Sequence, residues 1–396
     1  MKVGIVLHND IDVDVRVINQ WNIFKKKSVD CYILCTGMSR AEDSERDVVR
    51  VATESAFYKF RFISASTLPL FKNFWKDQII KRFQNSSVEL LHVHDLYMAA
   101  PAVEAAKELN LPVVLDLHEN YPEAFKKYSW TKKFPNKLFV NSDYWNKAEL
   151  EALQSVNGIV ALDENYRSGL QIKSKDHSHK IDAAVYPNVP DLSMFQEGKI
   201  SHDKASDEFK IFYFGIVNYA RFLHVASRAV KLLNEKGEKV RLVIAGNVIK
   251  SDQEYFKTEV LNEFVEHIPW IDLRDLGANV QSMDACISPI EKNAQHESGV
   301  ANKVFQYMYF GKPVLVSNCI PQQRLIENEN CGLVYEYRDN QALADHIKWL
   351  IDNPDGARQM GENGRNSILE KYNTGVLGNS LIDLYSKVLR RYSAKD

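Results

Sequence analysis

"HESGVANKVFQYMYFGKPVLVSN", residues 296–318, is the stretch on which the fold turns. It opens polar and glycine-bearing, runs through Val304, Phe305, Tyr307 and Met308, meets Gly311-Lys312-Pro313, and resumes as an apolar Val-Leu-Val. That order reads as loop, helix, stop and strand. A helix start exposes unpaired N–H groups and the positive end of its dipole, so a small-residue loop in front of one is a natural seat for an anion. Taken alone, the stretch also fits an ordinary helix entry on an α/β domain.

Working outward, the same alternation recurs. "KVGIVLH" (2–8), "DCYILCTG" (30–37), "VELLHVHD" (88–95) and "PVVLDLHEN" (112–120) read as strands, separated by helical patterns such as "VRVINQWNIFKKK" and "AAPAVEAAKELN". "VNGIVALDENY" and "AAVYPNVPD" continue the series. The polar stretch "EGKISHDKASDEFK" (197–210) has no apolar periodicity and reads as a linker. Beyond it the pattern restarts with "IFYFGIV", a helix through "HVASRAVKLLNEKG", "VRLVIAGN", "YFKTEVLNEFVEH" and "ACISPI", and runs to "KPVLVSN" and "CGLVYEY". Strands alternating with helices indicate βαβ units and parallel sheets. At 396 residues the chain is too long for one typical core. The expectation is therefore α/β, with two tandem doubly wound Rossmann-like domains facing a cleft. Ligands of such sheets bind beyond the strands' carboxyl ends.

Composition sets further bounds. Apolar residues make up 45% and charged residues 26%, an ordinary globular balance, and the net charge of −2 does not advertise nucleic acid. The five cysteines are scattered, mostly in apolar runs, without a Cys-x-x-Cys pair for zinc. The N-terminal apolar run is too short for a signal peptide, and no run reaches the length of a membrane span. The expected location is cytoplasmic. The segment Phe125–Phe139 interleaves Lys126, Lys127, Lys132, Lys133 and Lys137 with aromatics. It reads as a solvated basic loop or as a peripheral contact with an anionic membrane at its inner face.

Several polar groups fall at strand ends. Asp10, Asp12 and Asp14 alternate in a manner that invites a metal, but Val15-Arg16 follow where a calcium loop needs glycine, so Asp14 reads as a helix-start acid. His92 and His94 share a strand face and, with His118, partly match a zinc pattern. Arg221, after "IFYFGIV" and a short polar loop, and Lys303, in the opening helix, are cations suited to clamping a diphosphate. No Walker-type loop or G-x-G-x-x-G occurs.

The ordered set of these pieces resembles the glycosyltransferases of the GT-B fold, and within them family 4, the retaining enzymes that include many polysaccharide-building transferases. "HVHDLYMAAPAVEAAKELNLPVVLDLHEN" is similar to the family's His-x-His-Asp segment and the "D-x-HE" strand after it. "VYPNVPDLSMF" is similar to its stretch before the interdomain linker. "IFYFGIVNYARFL", "VRLVIAGN", "ANKVFQYMYFGKPVLVSN" and the run from "CGLVYEY" to "GENGR" follow its second domain in order.

The resemblance implies an acceptor-side domain over 1–196, a nucleotide-sugar domain over 197–375, and a C-terminal helix over 376–396 packing back on the first domain. It implies a metal-independent hexosyltransferase that uses a UDP- or GDP-linked sugar as donor substrate, with no cofactor. The acceptor would be a glycan or lipid-linked saccharide, as in surface polysaccharide biosynthesis. His118 and Glu297 would be catalytic. The donor would meet Gly215, Arg221 and Gly246, then Glu297, Ser298, Gly299, Val300, Asn302, Lys303 and Gln306. His94, Asp95 and Glu119 would face the acceptor. Four positions depart from the family pattern: Ser298 and Gln306 stand at the places of two glutamates eight positions apart, with Glu297 one place before Ser298, Ile216 replaces an arginine, and Arg221 replaces a lysine. A non-catalytic GT-B partner subunit and a sugar-nucleotide 2-epimerase of the same architecture are the alternative readings.

Overall fold

The computed structural model describes residues 1–52, 69–127, 142–175, 181–190, 192, 195 and 207–394. The chain divides into two compact units, Met1–Pro187 with Leu377–Asp396, and Asn188–Val376. Residues 128–139 of the basic aromatic segment and residues 197–206 of the linker stretch lie outside the described residues.

In the first unit the described strands are β1 (Lys2–Val6), β2 (Asp30–Thr36), β3 (Val48–Val51), β4 (Leu90–His94), β5 (Val113–Asp116), β6 (Gly158–Ala161) and β7 (Asp182–Val185). All pair in parallel, in the order β3-β2-β1-β4-β5-β6-β7. The order reverses between β1 and β4, so their carboxyl ends flank the switch point of a doubly wound sheet. Helices cover both faces, which is why most strands are near-continuous runs of buried residues.

Alternation along the strands assigns residues to faces. Leu91, Val93, Val113 and Leu115 join one core, whereas Leu90 and Val114 join the other. His92, His94 and Asp116 have the parity of that second face. It is covered by helix α1 (Val15–Lys26) and, at the end of the chain, by a helix over Thr374–Ser393. The Asp14 carboxylate caps α1 by accepting from the Val17 N–H, as its helix-start position predicts. Leu381, Leu384, Tyr385 and Val388 of the last helix are buried with Val3, Ile5 and Val160. At Gly378 the helix comes so close that a Cβ would lie 2.2 Å from Ile23 Cγ2.

The second unit repeats the plan. Its described strands are β8 (Phe209–Phe214), β9 (Val240–Ala245), β10 (Val265–Ile268), β11 (Ala285–Ser288), β12 (Val314–Ser317) and β13 (Gly332–Tyr335), parallel in the order β10-β9-β8-β11-β12-β13. Here the switch point lies between β8 and β11. The quoted stretch supplies helix α2 (Asn302–Tyr309) and β12, and helix α3 (Ile320–Glu329) follows. One difference from the sequence pattern concerns "YFKTEVLNEFVEH". Its helical part ends at Val260, Leu261 turns extended, and β10 begins within the same stretch. Among the described residues, no helix is long and apolar enough to cross a membrane.

Docking of the final helix is a hydrophobic event, so it can be weakened at one position. Leu384→Ala is expected to destabilise the first unit by about 2–5 kcal/mol, the usual cost of a core Leu truncation, read as a lower urea midpoint. An unchanged midpoint would show that this helix adds nothing to the unit's stability.

Candidate functional site

In the first unit the strand ends bring His94, Asp95 and His118 together. Asp95 closes β4 with φ +74°, a backbone region that side chains other than glycine seldom adopt. Such strain is held only where surrounding contacts over-determine it. Here the contacts are hydroxyls: Tyr97 donates to Oδ2 at 2.7 Å and Tyr121 donates to Oδ1. His118 lies two residues past β5, with its side chain 16% exposed. Its Nδ1 is 3.3 Å from Asp95 Oδ1, and its Nε2 shares a 2.8 Å hydrogen bond with His94 Nδ1. Glu119 follows, half-buried.

Behind this pair lies a buried charge. Asp116 is fully buried, and Arg16 of α1 grips it with both prongs, Nε to Oδ2 at 3.1 Å and Nη2 to Oδ1 at 2.7 Å. Gln20 adds a 2.6 Å bond to Oδ2, while Arg16 Nη1 donates to the Tyr186 carbonyl at 2.8 Å. Burial alone would push the Asp116 carboxyl up, but the Arg16 guanidinium, with His92 Nε2 standing 3.6 Å away, outweighs it and holds the group well below the usual carboxylate range. Burial pushes His92 and His94 down, so both imidazoles are neutral.

His92, His94 and Asp116 offer atoms within 4.8 Å of one another, a spacing a metal could use. The chemistry does not favour one. Asp116 is already occupied by a guanidinium and an amide, His92 Nε2 bonds Gln20 Oε1 at 3.1 Å, and a cation would sit beside Arg16. The Asp10 and Asp12 carboxylates are likewise bound by arginines. Arg40 and Arg50 reach both, and Arg46 reaches Asp12.

In the second unit the switch point gathers the other predicted residues. Gly215 ends β8 with φ +128° and Gly246 ends β9 with φ +151°. At Gly246 a Cβ would lie 1.9 Å from the Gly215 carbonyl oxygen, so only glycine fits. Lys303, in the first turn of α2, lays its ammonium 3.7 Å from the centre of the Tyr213 ring. That ammonium is 3.1 Å from where a Cβ on Gly215 would stand. Burial, with the charge of nearby Arg221, pushes it well below the usual lysine range. Arg221 precedes Phe222, whose φ of +48° turns the chain into the next helix. Its Nε is buried without a partner, and neither cation is paired with a carboxylate among the described residues.

The loop before α2 is built as the sequence suggests. Gly299 is extended, Ser298 is buried with its hydroxyl turned back to the Gln295 carbonyl, and Ala301 offers no side-chain cap to the helix start. The first N–H groups of α2 therefore lack the usual side-chain acceptor. Val300, Asn302 and Gln306 flank them; Val300 and Gln306 are half-buried and Asn302 is exposed. Glu297 turns the other way, and its Oε2 accepts from the Ile320 N–H at the start of α3 at 2.9 Å. Ile216 is 57% exposed.

Sequence reasoning missed Asp116, Arg16, Gln20, Tyr213 and Tyr385. The only available signal was an aspartate at a strand end two residues before His118.

The chain is similar to several known proteins. Residues 194–367 match the family described as "Glycosyl transferases group 1". A capsular polysaccharide biosynthesis glycosyltransferase, CapM of Staphylococcus aureus, is 23% identical over 258 residues, 62% of this chain. The match spans 65% of that relative's length, just under two thirds. Glycogen synthase of Mycobacterium tuberculosis is 21% identical over 75% of this chain and 68% of its own. Among solved structures, sucrose-phosphate synthase of Thermosynechococcus elongatus superposes with a TM-score of 0.76 at 16% identity, covering 99% of this chain and all of that one. HepE of Anabaena in complex with UDP gives 0.71 at 12% identity, covering 98% of this chain and 100% of its own. The chain resembles the GT-B glycosyltransferases and shares their pair of Rossmann-like units.

The Arg16–Asp116 pair generates a test of the first-unit site. Asp116→Asn leaves a buried guanidinium without its counter-charge and is expected to cost about 3–5 kcal/mol at neutral pH. The folded carboxyl titrates below the unfolded one, so its contribution is complete above about pH 3.9 and fades as the pH falls through the folded value. Urea midpoints of the two proteins should therefore differ at pH 7 and converge in acid. A gap that widens in acid contradicts the assignment.

Proposed function

We propose that this protein transfers a sugar from a nucleotide-sugar donor to a glycan or lipid-linked saccharide, with retention at the anomeric carbon and without a metal. One observation carries the reading. Arg221 and Lys303 converge beyond β8 and α2 begins beside them, yet no carboxylate neutralises either cation among the described residues. Both residues are half-buried, and cations drawn partly out of water without a counter-charge are costly. A site that keeps two of them at a switch point, next to an uncapped helix start, suits a diphosphate.

In the reaction the bond between the anomeric carbon and the β-phosphate oxygen breaks, and the acceptor hydroxyl oxygen takes that carbon on the same face as its proton passes to the departing phosphate oxygen. Negative charge grows on the departing diphosphate. Lys303, Arg221 and the N–H groups of α2 are placed to stabilise it. A phosphate alongside Lys303 opposes the downward push of burial and favours its charged form. Gly215 and Gly246 keep side chains out of the phosphates' way, and Gln306, one turn into α2, hydrogen-bonds a ribose hydroxyl. His118 and Glu119 serve the acceptor and the reacting sugar from the first unit, with buried His94 and Asp95 holding the His118 ring from behind. The UDP held by HepE supports a uridine donor, and the CapM match supports a surface polysaccharide as product. Glu297 is left to shape the donor loop through its bond to Ile320.

Titration calorimetry with UDP tests the reading. Arg221→Ala and Lys303→Ala should each weaken binding by about 1.5–3 kcal/mol, the worth of a charge-assisted bond. Unchanged affinity in both variants would remove the diphosphate from this place. Sugar transfer should also continue in excess EDTA. Complete loss, restored by manganese or magnesium, would put a metal into the reaction.

A further inference from the structure

His118 carries a polar chain behind it whose proton positions can be worked out link by link. The starting point is Gln20. Its Nε2 lies 2.6 Å from Asp116 Oδ2 and its Oε1 lies 3.1 Å from His92 Nε2. The opposite amide orientation would set Oε1 against a carboxylate oxygen, two acceptors face to face, so the amide donates to Asp116. Gln20 Oε1 only accepts, so His92 carries its proton on Nε2. His92 is neutral, because burial pushes it down, so its Nδ1 is a lone pair. Tyr385 Oη, 2.8 Å from that Nδ1, must therefore donate. Every bond from the last helix to Asp116 points one way: Tyr385 to His92, His92 to Gln20, Gln20 to Asp116.

The same logic continues to His118. His94 is neutral, buried, and has no partner at Nε2 among the described residues. Suppose His118 donated from Nε2 to His94 Nδ1. The His94 proton would then sit on Nε2, a buried donor without an acceptor. The His94 Nδ1 lone pair would face Asp116 Oδ2 at 3.7 Å, and the His118 Nδ1 lone pair would face Asp95 Oδ1 at 3.3 Å. Reversing the bond removes all three conflicts and leaves a single buried lone pair at His94 Nε2. His94 Nδ1–H then points past Asp116 and donates to His118 Nε2, and the His118 proton lies on Nδ1 towards Asp95.

We infer that His94, backed by the chain Tyr385–His92–Gln20–Asp116, is a positioning residue that holds His118 with its proton on Nδ1 and its Nε2 lone pair engaged. His118 then has no free lone pair with which to take a proton from an acceptor hydroxyl. It shapes the reacting end of the site with a fixed ring and a fixed dipole. Asp95 and the hydroxyls of Tyr97 and Tyr121 complete the clamp from the other side. The hydrogen-bonded chain from the last helix ends at Asp116, whose Oδ2 stands 3.7 Å from His94 Nδ1 and acts on it as a nearby charge. The tautomer follows from contacts within the first unit alone; only its catalytic consequence rests on the transferase reading above.

Nitrogen-15 spectra of the full chain labelled at histidine test this directly, with resonances of the 11 histidines assigned through single His→Gln variants. The expected wild-type result is a protonated Nδ1 and an unprotonated Nε2 at His118, with the opposite pattern at His92. In Tyr385→Phe the His92 Nδ1 resonance should move to that of a lone pair without a donor. His94→Asn, which keeps an N–H near the place of Nδ1, should preserve the His118 pattern, whereas His94→Leu should release it to a mixture. In turnover, His94→Leu should lower kcat while KM for the nucleotide sugar holds, and His94→Asn should restore kcat. A protonated Nε2 at His118 in the wild type overturns the inference, whatever the variants do. An unchanged His118 pattern in a folded His94→Leu also overturns it. If the spectra agree but no nucleotide sugar is turned over, the tautomer stands and the transferase reading falls.

Discussion

The buried pair of Arg16 and Asp116 is the constraint around which the first unit is arranged. A carboxylate without solvent is tolerable only with a partner of matching geometry, and a guanidinium with two prongs on two oxygens is that partner. The bond ties α1 to the end of β5, 100 residues away in sequence. Once the charge is there, its remaining reach must be satisfied too. Gln20, His92 and Tyr385 do so from two helices and a strand, and the polar chain reaches the surface only at His118. The hydrophobic docking of the final helix and the alignment of a strand-end histidine are thereby one piece of structure.

The second unit makes the opposite choice at the matching place. Its switch point holds two cations whose charge no side chain among the described residues balances, and a helix start without a cap. In the first unit positive charge is neutralised internally; in the second it is left for something that arrives. The contrast has a chemical logic. On the proposed reading, the first unit must keep its groups fixed while it receives a neutral hydroxyl, and the second must bind a diphosphate whose charge rises as the sugar leaves. Tyr213 fits this division. Its ring holds the Lys303 ammonium in place without neutralising it.

The parts legible in the sequence were those that physical periodicity encodes. Alternating apolar runs and helical patterns gave most of the strands and both doubly wound units, and the helix-start argument placed Lys303 and the Ser298–Gly299 loop at an uncapped helix start. The edge strand β3 was missed because "VVRV" is only four residues long and is interrupted by an arginine, and β10 was hidden in a stretch whose first half is helical. The polar chain was invisible for a different reason. Pairing between residues 16 and 116, or 92 and 385, is set by which strand faces which helix, and no local pattern carries it. Tyr385 belongs to an apolar stripe, so the sequence shows that the ring is buried but not that its hydroxyl has work at the far end. Arg16 looked like a neighbour of a helix-start acid, whereas its side chain passes inward to a strand end.

The most direct test of the account is turnover of a panel of UDP- and GDP-linked sugars, with release of the nucleoside diphosphate followed in EDTA and the configuration of the product read at its anomeric carbon. The account predicts release from at least one donor without added metal, with the anomeric configuration of that donor kept in the product. Absence of both binding and release across the panel would contradict it, as would inversion at the transferred carbon.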